Sequence, residues 1–144
     1  MTQEAAKKER VTKVIEVLNK ARSMELYAVH QYMNQHYNLD NLDYGEFASK
    51  IKLIAIDEMR HAENFAERIK ELDGEPVSEL SSKITKGQKV ADVFPFNVKV
   101  EDDTIETYNA LLEICRANGD SVSARLFERI LDEEQIHDNY FANM

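Results

Sequence analysis

The feature that most limits how this chain can fold is a short pattern that occurs twice. Glu58-x-x-His61 lies in Ile56-Asp57-Glu58-Met59-Arg60-His61, and Glu134-x-x-His137 lies in Leu131-Asp132-Glu133-Glu134-Gln135-Ile136-His137. In each copy the carboxylate and the imidazole fall on the apolar stripe of a helical pattern by the i, i+3, i+4 rule. Ile51, Ile54, Phe65, Ile69 and Leu72 share that stripe with the first copy, and Phe127, Ile130 and Phe141 share it with the second. Charged groups aimed into a core are costly unless something there uses them. A metal ion is the most economical use, because Glu-x-x-His places one oxygen and one nitrogen a turn apart on a single face.

One such pattern is weak in a chain with 27 acidic residues. The spacing makes the pair strong: Glu25 stands 33 residues before Glu58, and Glu101 stands 33 residues before Glu134. The midpoints fall between Asn41 and Leu42 and between Ala117 and Asn118, both beside turn signals. Residues equidistant from the turn of an antiparallel hairpin sit at one depth. Each hairpin therefore brings two Glu and one His to one level, and two hairpins face to face build a Glu4His2 layer inside a four-helix bundle. Four carboxylates balance two divalent cations. A mixed carboxylate and imidazole set suits iron or manganese better than zinc.

The rest of the composition agrees. A length of 144 residues predicts a single domain, 1–144. Only four Gly and two Pro fit long helices with few turns. The net charge of −9 excludes nucleic-acid binding through a basic surface and favours attraction of cations. No run approaches the ~18 apolar residues of a membrane span, and Met1 to Arg10 is too polar for a signal peptide. The expected location is cytoplasmic, with no membrane partner. Cys115 is the only cysteine, so there is no intrachain disulfide and no multi-cysteine metal site. It reads as a small buried apolar residue.

Taken in order, the first helix is expected from between Thr2 and Arg10 to about Tyr37, with an inward stripe of Ile15, Leu18, Arg22, Glu25, Val29, Tyr32 and His36. Asn38 to Leu42 reads as a short connection. Asp43 and Glu46 form a capping box for a second helix that Gly74 and Pro76 stop near Asp73. Residues 75–91 read as the one long connection, with Val77, Leu80 and Ile84 packing on the bundle. At ~3.3 Å per residue it is long enough to run the length of a helix, so it is expected to cross over. Asp92 is expected to cap a third helix ending near Asn118, with Pro95 in its first turn. Its stripe is Phe94, Val98, Glu101, Ile105, Tyr108, Leu112 and Cys115. Asp120 is expected to cap a fourth helix that continues to the chain end.

From about Thr12 to Phe141 the chain resembles a bacterioferritin, within the ferritin-like di-iron superfamily. The motifs that carry the resemblance are Glu25-Leu26-Tyr27-Ala28-Val29-His30-Gln31-Tyr32, the two Glu-x-x-His segments and Asp120-Ser121-Val122-Ser123. The resemblance implies an all-α, ferritin-like antiparallel four-helix bundle with the crossover between helices two and three. It implies that Glu25 and His61 are terminal ligands of one iron, that Glu101 and His137 hold the other, and that Glu58 and Glu134 bridge them. Tyr32 would be a phenol beside the site. The implied activity is a ferroxidase that turns Fe(II) into Fe(III) with O2 or H2O2, for storage or detoxification. The implied partners are further copies of the chain, as a homodimer and a larger cage. Met59, rotated about 100° from Glu58 and about 160° from His61, faces away from the iron layer. The resemblance makes it an axial ligand of haem b on a twofold dimer axis, shared with its own copy.

The sequence departs from that family in two ways: residues 1 to about 9 are extra, and no short fifth helix follows the fourth before Met144. The alternative function is a rubrerythrin-like peroxide-scavenging di-iron protein. Its usual cysteine-rich module is excluded by the single cysteine.

Overall fold

The computed structural model describes residues 1–144. Four helices make up the chain: α1 (Gln3–Asn41), α2 (Gly45–Glu71), α3 (Val90–Ala117) and α4 (Ser121–Ala142). The expected all-α bundle is what forms. α1 pairs mainly with α2 and α3 mainly with α4, as two hairpins.

Cross-links along the crossover show how the hairpins are joined. Val77 N–H donates to Asn19 Oδ1, Ser81 N–H to the Ser23 carbonyl, Thr85 N–H to Gln31 Oε1, and Asn38 Nδ2 to the Gln88 carbonyl. The partners advance along α1 as the crossover advances, so it runs beside α1 for most of the bundle's length. α3 then descends against α1: Gln35 bonds Asn97, Tyr32 bonds Glu101, and Tyr108 bonds Ala21. α2 and α3 therefore point the same way, which is why so long a connection is required. Gln31, Gln35 and Asn97 are fully buried, and these bonds satisfy amides that would otherwise oppose folding.

Several boundaries differ from those expected. α1 continues through Asn38 to Asn41, because no Gly or Pro breaks it and Leu39 is buried beneath it. The reversal is correspondingly tight, with Asp43 at φ 64. Asp43 is therefore not a helix cap; α2 begins at Gly45, with Tyr44 as a cap that makes no side-chain bond. At the far end of α2 the left-handed residue is Asp73, at φ 64, and Gly74 N–H closes the turn on the Ile69 carbonyl at 2.9 Å. Gly74 is required for room instead: a Cβ there would meet Ile15 and Ile69 methyls at 2.9 Å. α3 starts at Val90, which leaves Asp92 in the first turn and places Pro95 inside the helix. Phe94 and Val98 are only half-buried; Val93 and Asn97 take the inward positions. Likewise Ala28 is buried on α1 in place of Val29. The Asp120 cap of α4 stands as expected, accepting from Ser123 N–H at 2.9 Å. Cys115 is fully buried, and burial pushes its thiol up to about 12.

The apolar core is split. One cluster of 14 buried residues includes Leu18, Ala21, Phe65, Tyr108 and Phe127. Another of 9 includes Ala28, Tyr32, Ile51, Ala55 and Phe141. Ala21 and Ala28 lie one turn either side of Glu25, so the two clusters close above and below a single polar layer. Fully burying each large apolar side chain contributes about 1.5–3 kcal/mol. Those two clusters hold the charged layer in place against its own desolvation cost.

Candidate metal centre

Each helix contributes to the layer. α1 brings Glu25, α2 Glu58 and His61, α3 Glu101, and α4 Glu134 and His137. Five of the six are at most 1% exposed and His137 is 4% exposed. The layer forms because Glu and His sit at core positions of otherwise apolar stripes, where packing of their neighbours leaves them no way out.

The six residues divide into two overlapping groups. Potential ligand atoms of Glu25, Glu58, His61 and Glu134 all lie within 4.8 Å of one another, and so do those of Glu58, Glu101, Glu134 and His137. Glu58 and Glu134 belong to both. His61 Nδ1 stands 3.0 Å from Glu25 and 2.9 Å from Glu134, and His137 Nδ1 stands 2.9 Å from Glu58.

The donor set fits cations and little else. Eight buried side-chain N or O atoms in the chain lack a hydrogen-bond partner, and all eight belong to these six residues. Buried polar groups are normally paired, so a localised set of orphans needs its own partner. Burial, reinforced by the neighbouring carboxylates, raises Glu25, Glu58, Glu101 and Glu134 above the usual carboxylate range. Burial alone would lower His61, but the Glu134 carboxylate 2.9 Å from its Nδ1 and the charges of Glu58 and Glu133 raise it to about 9. Protons are thus held where positive charge is needed, and two divalent cations would replace them.

Three further groups complete the setting, and motif reading alone assigned a site role only to Tyr32. The Tyr32 hydroxyl donates to Glu101 Oε1 at 2.6 Å. Asp57 Oδ2 lies 3.0 Å from His137 Nε2, and Glu133 Oε2 lies 3.2 Å from His61 Nε2. Each of these carboxylates immediately precedes the Glu of a Glu-x-x-His copy and serves the His of the other copy. Their matching places in the two copies were the available signal. Arg22, expected on the inward stripe, is half-buried and structural: it donates to the Val77 carbonyl at 2.8 Å and the Ala62 carbonyl at 2.7 Å. Met59 is 52% exposed on the outside of α2, away from the layer.

A four-helix bundle with a crossover and a central Glu4His2 layer defines the ferritin-like class, and the family model described as "Ferritin-like domain" matches residues 15–144. The bacterioferritin of Desulfovibrio desulfuricans is 59% identical over 138 residues, covering 96% of this chain and 77% of that protein. A crystal structure of that bacterioferritin, with its diiron site in different catalytic states, superposes with a TM-score of 0.94 and 60% identity over 95% of this chain and 80% of that one. The Rhodobacter capsulatus bacterioferritin was solved with a metal-free dinuclear site and a haem iron in a crystallographic special position. It superposes with a TM-score of 0.87 and 28% identity over 92% of this chain and 82% of that one. The chain belongs to the bacterioferritin family of ferritin-like iron-storage proteins. No helix is long and apolar enough to cross a membrane.

Proposed function

We propose that residues 1–144 act as one ferritin-like unit that oxidises Fe(II) to Fe(III) at the Glu4His2 layer. The observation that carries this reading is the set of eight orphaned buried donor atoms, confined to six residues in two groups that share Glu58 and Glu134. Glu25 and His61 would hold one ion, Glu101 and His137 the other, and Glu58 and Glu134 would bridge. Iron bound there supplies the electrons, one from each ion, that reduce O2 or peroxide.

The protein's own contribution is positioning and charge. Four carboxylates hold two cations side by side in a dry layer, so that both electrons are available to one oxidant. Asp57 accepts from the Nε2–H of His137 and Glu133 Oε2 stands 3.2 Å from His61 Nε2, an arrangement that leaves the Nδ1 lone pair of each ring for a cation. The two apolar clusters exclude water from above and below. The test is Fe(II) oxidation followed by the Fe(III) absorbance: a wild-type burst of two iron per chain is expected, and a burst of one would refute the dinuclear reading.

The assembly reading is a homo-oligomer, dimer or larger cage, with the chain found in the cytoplasm. Haem b binding rests on Met59, a half-exposed thioether at the middle of an outer helix face, where a twofold copy could supply the opposite axial ligand. The Rhodobacter relative, whose haem iron sits on a crystallographic special position, supports that geometry.

A further inference from the structure

Charge is unevenly spread along the chain. Residues 1–13 carry +2, while residues 14–144 carry −11. The basic segment also stands apart from the bundle. α1 begins at Gln3, but its first buried residue is Val14. Gly74 packs on Ile15, so the first hairpin ends at that level. The second hairpin ends close to it: Tyr108 of α3 bonds Ala21, and α3 stops nine residues later at Ala117. Residues 3–13 therefore run about 16 Å past the last core residue of α1 as bare helix.

This arm holds its shape without tertiary support. The Thr2 hydroxyl accepts from Ala5 N–H at 3.0 Å, and Ala, Lys, Glu and Arg are strong helix formers. The one ion pair in the arm joins Lys13 to Glu9 at 3.8 Å, which leaves Lys7, Lys8 and Arg10 without an anion. Those three cations cover roughly half of the helix circumference.

The complementary surface lies on the outer side of the second hairpin. Residues equidistant from the turn at Asn118 to Asp120 share a level, which sets Glu106 of α3 beside Asp132 of α4 and Asp102 close to Asp138. The cations of this face are already taken. Arg116 is held by Glu113 and by Glu128, and Lys99 is held by Asp103 at 3.3 Å. Asp138 is only 8% exposed and pairs with no cation of the chain. An enclosed carboxylate without a cation is costly unless a partner brings the missing charge. The arm of the same chain is the wrong partner, because α1 is one continuous helix and carries it away from the bundle.

We propose that residues 3–13 are a docking arm for a second copy of the chain, with Lys7, Lys8 and Arg10 seated on the acidic α3–α4 face of that copy. Charges at the rim of an interface set association rate and specificity, and salt screens them. The contact is therefore salt-sensitive. The inference rests on the homo-oligomer reading above, and its test separates the two.

The experiment is sedimentation velocity of the full chain at low and high salt. The arm variant combines Lys7→Glu, Lys8→Glu and Arg10→Glu. The face variant combines Asp102→Lys, Glu106→Lys and Asp132→Lys. Wild type should be larger than a monomer and should loosen as salt rises; a monomer at every salt overturns the homo-oligomer reading as well. Each variant alone should dissociate at about tenfold higher protein concentration than wild type. A chain carrying both sets has its charges exchanged and should regain wild-type association. The arm variant should keep its helical circular dichroism and its Fe(II) oxidation burst, since the arm lies beyond the core. If wild type is oligomeric and either variant associates as wild type does, the proposal is wrong. It is equally wrong if the combined chain fails to recover. Binding of wild type, but not the arm variant, to phosphatidylglycerol vesicles, with wild-type mass in every variant, would assign the arm to a lipid surface instead.

Discussion

Asp57 on α2 holds His137 on α4, with Oδ2 3.0 Å from Nε2, and this contact crosses between hairpins while the neighbouring carboxylates, Glu58 and Glu134, stay buried. Partners of this kind set the tautomer and ring orientation of a ligating histidine, and losing one typically costs 10–100-fold, roughly, in affinity or activity. Asp57→Ala is expected to slow Fe(II) oxidation within that range. Glu133→Ala should have a smaller effect, since the Glu133 side chain is 51% exposed against 34% for Asp57. Stopped-flow oxidation of both variants checks the order.

Glu58 belongs to both ligand groups, so Glu58→Ala should abolish rapid Fe(II) oxidation while the helices remain. The metal-free variant should also melt higher than wild type, because a buried, repelled carboxyl has gone. Wild-type oxidation rates in this variant would refute its bridging role.

Stability of the metal-free protein should fall as pH rises. Glu25, Glu58, Glu101 and Glu134 have pKa values raised from 4.5, so they bind protons more tightly in the folded chain than in the unfolded one. Their contribution is complete below 4.5 and is lost as pH climbs through the folded values. His61 acts in the same direction, losing its contribution between 6.5 and about 9. Thermal melts at about pH 5, 7 and 9 should show a declining midpoint without metal. Adding a divalent cation should restore it most at the alkaline end, because binding releases the held protons.

Met59→Leu should remove the Soret band of haem-reconstituted protein while leaving Fe(II) oxidation intact, since Met59 faces away from the layer. Light scattering on the same samples reads the assembly: a homodimer or larger is expected. Unchanged haem uptake in the variant would assign the ligand elsewhere.

Asp120 caps α4 and receives Arg68 from α2 at 3.0 Å, which ties the second hairpin to the first. Asp120→Ala should cost about 1–2 kcal/mol, within the range for a lost cap. Chemical denaturation measures it, and metal stoichiometry should not change.

Much of this protein was settled by the order of residues along the chain. Helical periodicity, the doubled Glu-x-x-His and the equal spacing of Glu25 and Glu101 from their partners are properties of one dimension. They sufficed for the bundle, the crossover and the six residues of the layer. The helix ends were less legible, because Asp43 and Asp92 are good caps in isolation. The packing of Leu39 and Val93 decided instead where α1 stopped and α3 began. What only the tertiary structure decided lies between hairpins: Asp57 against His137, Glu133 against His61, Tyr32 against Glu101, and Tyr108 below Glu25. Those contacts depend on how far each helix is rotated about its axis. That rotation is set by the packing of the two apolar clusters as a whole, which no local pattern in the sequence encodes.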